Sequence, residues 1–214
     1  MSSMTTFTCP ECKTTQSLRS DKSLVFICTT CGSLLRDETS LDLPKRPIPA
    51  DWSVVQIGST GSFKGKAFEV IGRVRLQLQK EYKNYWSIWY AQTKEYGWLV
   101  ESLGFYAICP GNFFEIKDSD RLKGIVPHES FHISDKATII LDDEDYCESL
   151  AYTGELPTWS FYAPRFRIVQ GNSDKVIASF FHVSVIRELA LFLVGEWVSW
   201  KSLELKNLNT EHEW

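Results

Sequence analysis

Residues 70–79 read Val70-Ile71-Gly72-Arg73-Val74-Arg75-Leu76-Gln77-Leu78-Gln79. Val74, Leu76 and Leu78 alternate with Arg73, Arg75, Gln77 and Gln79, and a period of two marks a half-buried β-strand. The apolar set is expected to face a core and the polar set a solvated face. Gly72 inside the run predicts a bulge. Working outward, Tyr85 to Thr93 reads as an aromatic strand. Glu95-Tyr96-Gly97 turns into Trp98-Leu99-Val100-Glu101, and Gly104 precedes Phe105-Tyr106-Ala107-Ile108. Short strands at this spacing make an antiparallel meander. A second series is expected at 130–134, 137–142, 147–153, 159–170 and 175–183, with a turn at Gly171-Asn172-Ser173-Asp174. Residues 184–194 read equally as a capped helix or a buried strand. No internal repeat or low-complexity tract is visible. The expected fold is mostly β: a small zinc ribbon followed by an antiparallel β domain built as a meander, two small sheets or barrels.

The ribbon is read from four cysteines. Cys9-Pro10-Glu11-Cys12 is followed, fifteen residues on, by Cys28-Thr29-Thr30-Cys31-Gly32. Two C-x-x-C pairs at this spacing suit one tetrahedral Zn2+, each pair forming a knuckle. Gly32 supplies permissive backbone for the second knuckle. Leu24 to Ile27 reads as a strand leading into it. Four thiolates leave no open coordination position, so the expected zinc, one per chain, is structural. About forty residues bury too little surface to fold alone, so metal binding would supply much of the ribbon's stability.

Pro44, Pro47 and Pro49 set residues 39–51 apart as a linker of extended chain. The expected organisation is therefore a ribbon at 1–38, the linker, and a β domain at 52–214. The 214 residues carry a formal charge of −4. Residues 109–160 hold eleven acids against four bases, while the first fifty hold six bases and five acids. That balance argues against nucleic acid as the main partner and favours protein contact by the ribbon. The first eight residues contain no basic and apolar regions of a secretory signal. Arg187-Glu188 interrupts the most apolar stretch, 176–200, and each charge at a helix centre costs roughly 3 kcal/mol on insertion. A cytoplasmic protein with reduced thiols is expected, which favours metal ligation over disulfides.

His128-Glu129-Ser130-Phe131-His132 spells H-E-x-x-H. On a helix it would bind zinc through His128 and His132, with Glu129 as general base of a hydrolase. Pro127 before it and the β-branched run Thr138-Ile139-Ile140 after it point to a strand instead. The two histidines would then stand about 13 Å apart, too far to share an ion. Asp142-Asp143-Glu144-Asp145 lacks the alternation and central Gly of a calcium loop and reads as a solvated hairpin tip. Cys109 and Cys147 read as buried hydrophobes, and His182 and His212 as structural or solvated.

Ile57-Gly58, Phe68 to Arg73, Trp86 to Tyr90 and Gly97 to Glu101 resemble the core pattern of the bacterial domain-of-unknown-function family 4178. Gly154-Glu155-Leu156-Pro157 with Trp159, and Gly195-Glu196-Trp197, resemble that family's later motifs. Its members often carry a Cys-Pro-x-Cys ribbon in front. The resemblance covers residues 1–200, and the run His182–Leu193 departs from it by being longer and more apolar. It implies a strand at His128–Ile133 and assigns no reaction. It implies a genomic association with polyamine-biosynthesis and membrane-stress systems.

The expected function is a non-enzymatic protein-interaction or adaptor module with a structural zinc. Trp86, Trp89, Trp98, Trp159 and Trp197 are the candidate contact residues. The alternatives are the metal-dependent hydrolase, nucleic-acid binding by the ribbon, and capture of a polyamine-like cation by acids such as Glu101, Glu155 and Glu196.

Overall fold

The computed structural model of the chain describes residues 5–36, 39–40, 45–111, 114–116, 125–134, 137–157, 165–184 and 189–209. Within them the strands are β1 (Thr5–Thr8), β2 (Thr15–Leu18), β3 (Val25–Ile27), β4 (Leu34–Arg36), β5 (Thr39–Ser40), β6 (Thr60–Phe63), β7 (Lys66–Leu78) and β8 (Tyr82–Tyr90). They continue with β9 (Glu95–Ser102), β10 (Phe105–Pro110), β11 (Phe114–Ile116), β12 (Ser130–Ser134), β13 (Ala137–Leu156), β14 (Phe166–Asn172), β15 (Val176–Ser184) and β16 (Leu189–Val198). A single 3-10 turn, Trp200–Leu203, follows.

β7 to β10 form one antiparallel meander and β13 to β16 a second. The first strand of each pairs with the first of the other, β7 with β13, and the last with the last, β10 with β16. The eight strands thus close into a barrel, which removes the exposed edges that an open sheet would leave. The architecture repeats although the sequence does not, because the barrel asks only for inward apolar residues at a period of two. Val74, Leu76, Tyr85, Trp98, Phe181 and Leu193 meet in its interior. The outer face of the first meander is covered by Val55, Leu203 and Leu205 from the flanking segments. The outer face of the second is covered by Ile125 and Phe131.

The bulge predicted at Gly72 is present as a register shift between Val70 and Gly72. Glycine is needed there by crowding, since a Cβ on Gly72 would sit 2.1 Å from the Glu155 carbonyl oxygen. The polar face of β7 differs from expectation. Arg73 and Arg75 are only 7% and 9% exposed. Asp51 bridges both guanidiniums. Arg73 stacks on Trp86 and Arg75 on Tyr82, with the guanidinium carbons 4.4 and 4.2 Å from the ring centroids. Alternation in sequence reports a polar face, but not whether water or a buried partner meets it. Here the chain from Pro49 to Val55 lies on that face. The Pro49 carbonyl accepts from Arg75 at 3.2 Å and the Ser53 hydroxyl donates to Glu101 at 2.7 Å.

Three other expectations change. Asp142 to Asp145 is not a hairpin tip but lies within the twenty-residue strand β13. Asp145 is buried there and accepts the Gln79 and Lys80 amides at 3.1 and 3.2 Å. Asp143 pairs with Lys80, and Glu144 with Arg167, each at 2.8 Å. The ambiguous stretch 184–194 resolves as strand from Leu189, with 185–188 outside the described residues. The strand expected at 159–170 begins at Phe166, and residues 158–164 lie outside the described set.

The ribbon is joined to the barrel by backbone. β3 pairs with the last turn of β13, Ile27 opposite Gly154 and Val25 opposite Leu156. Alternation along β3 then splits its side chains. Val25 and Ile27 pack into the barrel core, while Phe26 and Cys28 pack with Cys9 and Leu35 around the ribbon's cysteines.

Candidate metal centre and neighbouring surfaces

The two C-x-x-C segments fold alike. The Cys9 amide donates to the Thr14 carbonyl at 3.0 Å and the Cys28 amide to the Ser33 carbonyl at 2.9 Å. The Lys13 amide closes on Cys9 at 2.9 Å and the Gly32 amide on Cys28 at 2.8 Å. Both turns need a left-handed residue after the second cysteine, and Lys13 (φ 63°) and Gly32 (φ 71°) supply it. The four sulfurs converge, all lying within 4.8 Å of one another. Cys9 and Cys31 Sγ are 3.7 Å apart, Cys12 and Cys28 Sγ 3.6 Å. A tetrahedral ion with metal–sulfur bonds of about 2.3 Å would space its sulfurs by roughly 3.8 Å. The cluster therefore fits a metal ion.

Hydroxyls and an amide surround the sulfurs. Thr14 Oγ1 lies 3.4 Å from Cys12 Sγ, Ser33 Oγ lies 3.2 Å from Cys31 Sγ, and Gln16 Nε2 donates to Cys28 Sγ at 3.0 Å. Thr14 pulls the Cys12 thiol down to about 6, and Ser33 lowers Cys31. Burial pushes Cys9 up to about 11. The thiolate is the ligand form, so the half-buried Cys12 and Cys31 are prepared for an ion, while buried Cys9 is disfavoured as an anion without one.

Glu155 fixes this unit to the barrel. Its buried carboxylate accepts the Arg19 amide at 2.7 Å, the Ser20 amide at 3.0 Å and the Ser23 hydroxyl at 2.9 Å. Ser20 and Ser23 also meet the Tyr96 hydroxyl at 2.6 and 2.8 Å. The adjoining Gly154 (φ 74°) faces the Ile71 carbonyl, which an added Cβ would approach to 2.4 Å.

The other candidates fall apart from one another. His128 to His132 form a turn and the start of β12, not a helix. His132 Nδ1 lies 2.9 Å from Thr138 Oγ1 and His128 is exposed, so the H-E-x-x-H helix geometry is absent. Cys109 and Cys147 are buried, and burial pushes both thiols up, Cys147 to about 12, which makes them poor nucleophiles. The side chain of His182 and all of His212 lie outside the described residues. Glu101, Glu155 and Glu196 do not converge on one ligand. Glu101 accepts from Ser53, Asn84 and Trp86, Glu155 holds the ribbon, and Glu196 pairs with Lys64.

Of the tryptophans, Trp86, Trp89 and Trp98 are core, Trp159 lies outside the described residues, and Trp197 is exposed. Sequence reasoning missed its companions. Phe105 meets Trp197 edge to face at 6.3 Å, and Tyr106 meets Trp200 at 4.9 Å. Leu103, at the tip of the β9–β10 turn, is 74% exposed, and Phe105 is 67% exposed. The signal was in the turn itself. Leu103-Gly104 occupies left-handed positions (φ 48° and 82°) where Asn-Gly or Asp-Gly is the ordinary choice. A bulky apolar residue held there in water calls for an explanation outside the fold.

No family model, curated protein or solved structure matches this chain. Among the described residues, no helix is long and apolar enough to cross a membrane.

Proposed function

We propose that the protein is a non-enzymatic protein-interaction module whose contact surface is the apolar rim of the barrel and whose metal is one structural Zn2+ on Cys9, Cys12, Cys28 and Cys31. The observation that carries the interaction reading is the rim itself. Phe105 and Trp197 meet edge to face yet stay exposed, and Leu103 is exposed at the adjoining β9–β10 turn. Exposed apolar clusters mark contact sites, and aromatic residues dominate the energy of such contacts. The donor set supports zinc: four thiols, sulfur spacings near the tetrahedral value and no position for substrate. A reducing, cytoplasmic setting keeps those thiols available. The hydrolase alternative has lost its helix, and a common polyamine site at Glu101, Glu155 and Glu196 has lost its geometry.

The test is affinity capture from host extract with wild type and a Leu103→Asp/Phe105→Ser variant, zinc being measured on both samples. Wild type should retain a partner that the variant loses, with zinc near one per chain in each. Identical capture profiles would sink the rim as the contact surface.

A further inference from the structure

At the other end of β9 from the rim, the chain builds a groove of about 510 Å³ from turns that are far apart in sequence. Lys22 comes from the ribbon, Lys64 and Lys66 from the β6–β7 hairpin, and Lys94 from the β8–β9 turn. Phe63, Tyr90 and Tyr96 line the same space. Four ammonium groups face two carboxylates there, Glu95 and Glu196, with Asp21 alongside. A cationic concavity is out of keeping with a chain of net charge −4.

We propose that this groove binds a phosphorylated small molecule of nucleotide chemistry, its phosphates among the lysines and its base against the aromatic wall. The volume lies within the usual range for ligand pockets. Lysine ammoniums arriving from three elements suit a multivalent anion, since each is a compact charge with rotatable donors. The present ion pairs do not block it. Lys64, Lys66 and Lys94 pair with Glu196, Glu95 and Asp21, but every one of these side chains is about half exposed or more. Exposed pairs are weak and exchange readily for a better anion. Thr93 and then Lys66 hold Glu95 below the usual carboxylate range, and Lys94 does the same for Asp21, so four lysines stand against three ionised acids and leave an excess of one positive charge. The Lys22 ammonium donates to the Lys94 carbonyl at 2.8 Å, so the ribbon completes the groove. The inference is independent of the rim and of its partner.

The experiment is calorimetry on the zinc-loaded full chain at low salt, with ATP, inorganic pyrophosphate, adenosine and a twelve-nucleotide single-stranded RNA as probes. ATP should saturate below millimolar concentration, pyrophosphate should bind at least tenfold more weakly and adenosine not at all. Lys66→Ala/Lys94→Ala should weaken ATP at least tenfold. Lys80→Ala, outside the groove, should leave it unchanged. No saturable ATP binding, or equal losses in both variants, would overturn the site. Pyrophosphate matching ATP would remove the base from the proposal. RNA binding far tighter than ATP, through the same lysines, would replace the small ligand with a polymer.

Discussion

Phe26 and Val25 are neighbours on β3, yet they belong to two regions held by different forces. Val25 joins Val74, Tyr85, Trp98 and Phe181 in the barrel, a core of large apolar side chains closed on all sides by paired strands. Phe26 joins Cys9, Cys28 and Leu35 in the ribbon, where the buried set is small and half of it is sulfur. The barrel can stand on apolar burial, worth roughly 25 cal/mol per Å² removed from water. The ribbon has too little such area; it has the β3–β13 backbone pairing and the hydrogen bonds to Glu155, and an ion on its four cysteines would have to supply the rest. A single strand thus joins a region with a large apolar core to one whose four cysteines would need an ion to hold it.

The sharpest way to break this comparison is to remove the metal. Structural zinc is worth on the order of 10 kcal/mol to small thiolate sites. Chelation, or Cys9→Ser, should abolish hydrogen-exchange protection in β1, β2 and the two knuckles while β7 to β10 and β13 to β16 keep theirs. Loss of protection across the whole chain would show the barrel to depend on the ribbon. The converse probe is Trp98→Ala. It empties a fully buried site in the barrel, which costs roughly 3–5 kcal/mol. A chain of this size should then melt about 10 °C lower in a thermal scan. Zinc content below the melting transition should stay unchanged. A variant that loses zinc while still folded would mean that the two regions are one cooperative unit.

The comparison also explains what could be read from the sequence. The cysteine spacing was sufficient for the cluster because metal geometry is imposed by four residues and two turns. The period-two runs and Gly72 were sufficient for the β class and for the bulge. They did not disclose closure, because the β7–β13 and β10–β16 pairings join segments about eighty residues apart with no local signature. Nor did they disclose that Arg73 and Arg75 are buried. Asp51, which pairs with both, sits in a stretch whose prolines read only as linker. The acidic run 142–145 misled for the same reason: the β14 strand that pairs with it, and Lys80, Arg167 and the Gln79 amide that meet its acids, are distant in sequence. Leu103 and Phe105 looked like ordinary strand-end residues. Among the described residues Leu103 and Phe105 nevertheless stay largely exposed, Phe105 meeting only the edge of Trp197.

Glu155 stands at the border of the two regions, and its titration is the smallest effect with a definite sign. Burial pushes its carboxyl above the ordinary 4.5, against the pull of the Arg19 and Ser20 amides and the Ser23 hydroxyl. The folded state therefore holds the proton more tightly than the unfolded chain. Below 4.5 both states are protonated and the group is neutral in its effect. As pH rises from there through the raised value, the folded state is left with a carboxylate that it disfavours, and stability falls. Glu155→Gln cannot titrate, so the wild-type stability minus that of the variant isolates this group from every other carboxylate. That difference, measured by denaturant melts between pH 4 and 8, should decline and then level off. A rising difference would mean that the three donors outweigh burial, and Glu155 would then clamp the ribbon most firmly as an anion. A falling one means that Glu155 holds the ribbon more firmly as the acid than as the anion, its bonds to Arg19, Ser20 and Ser23 only partly offsetting burial.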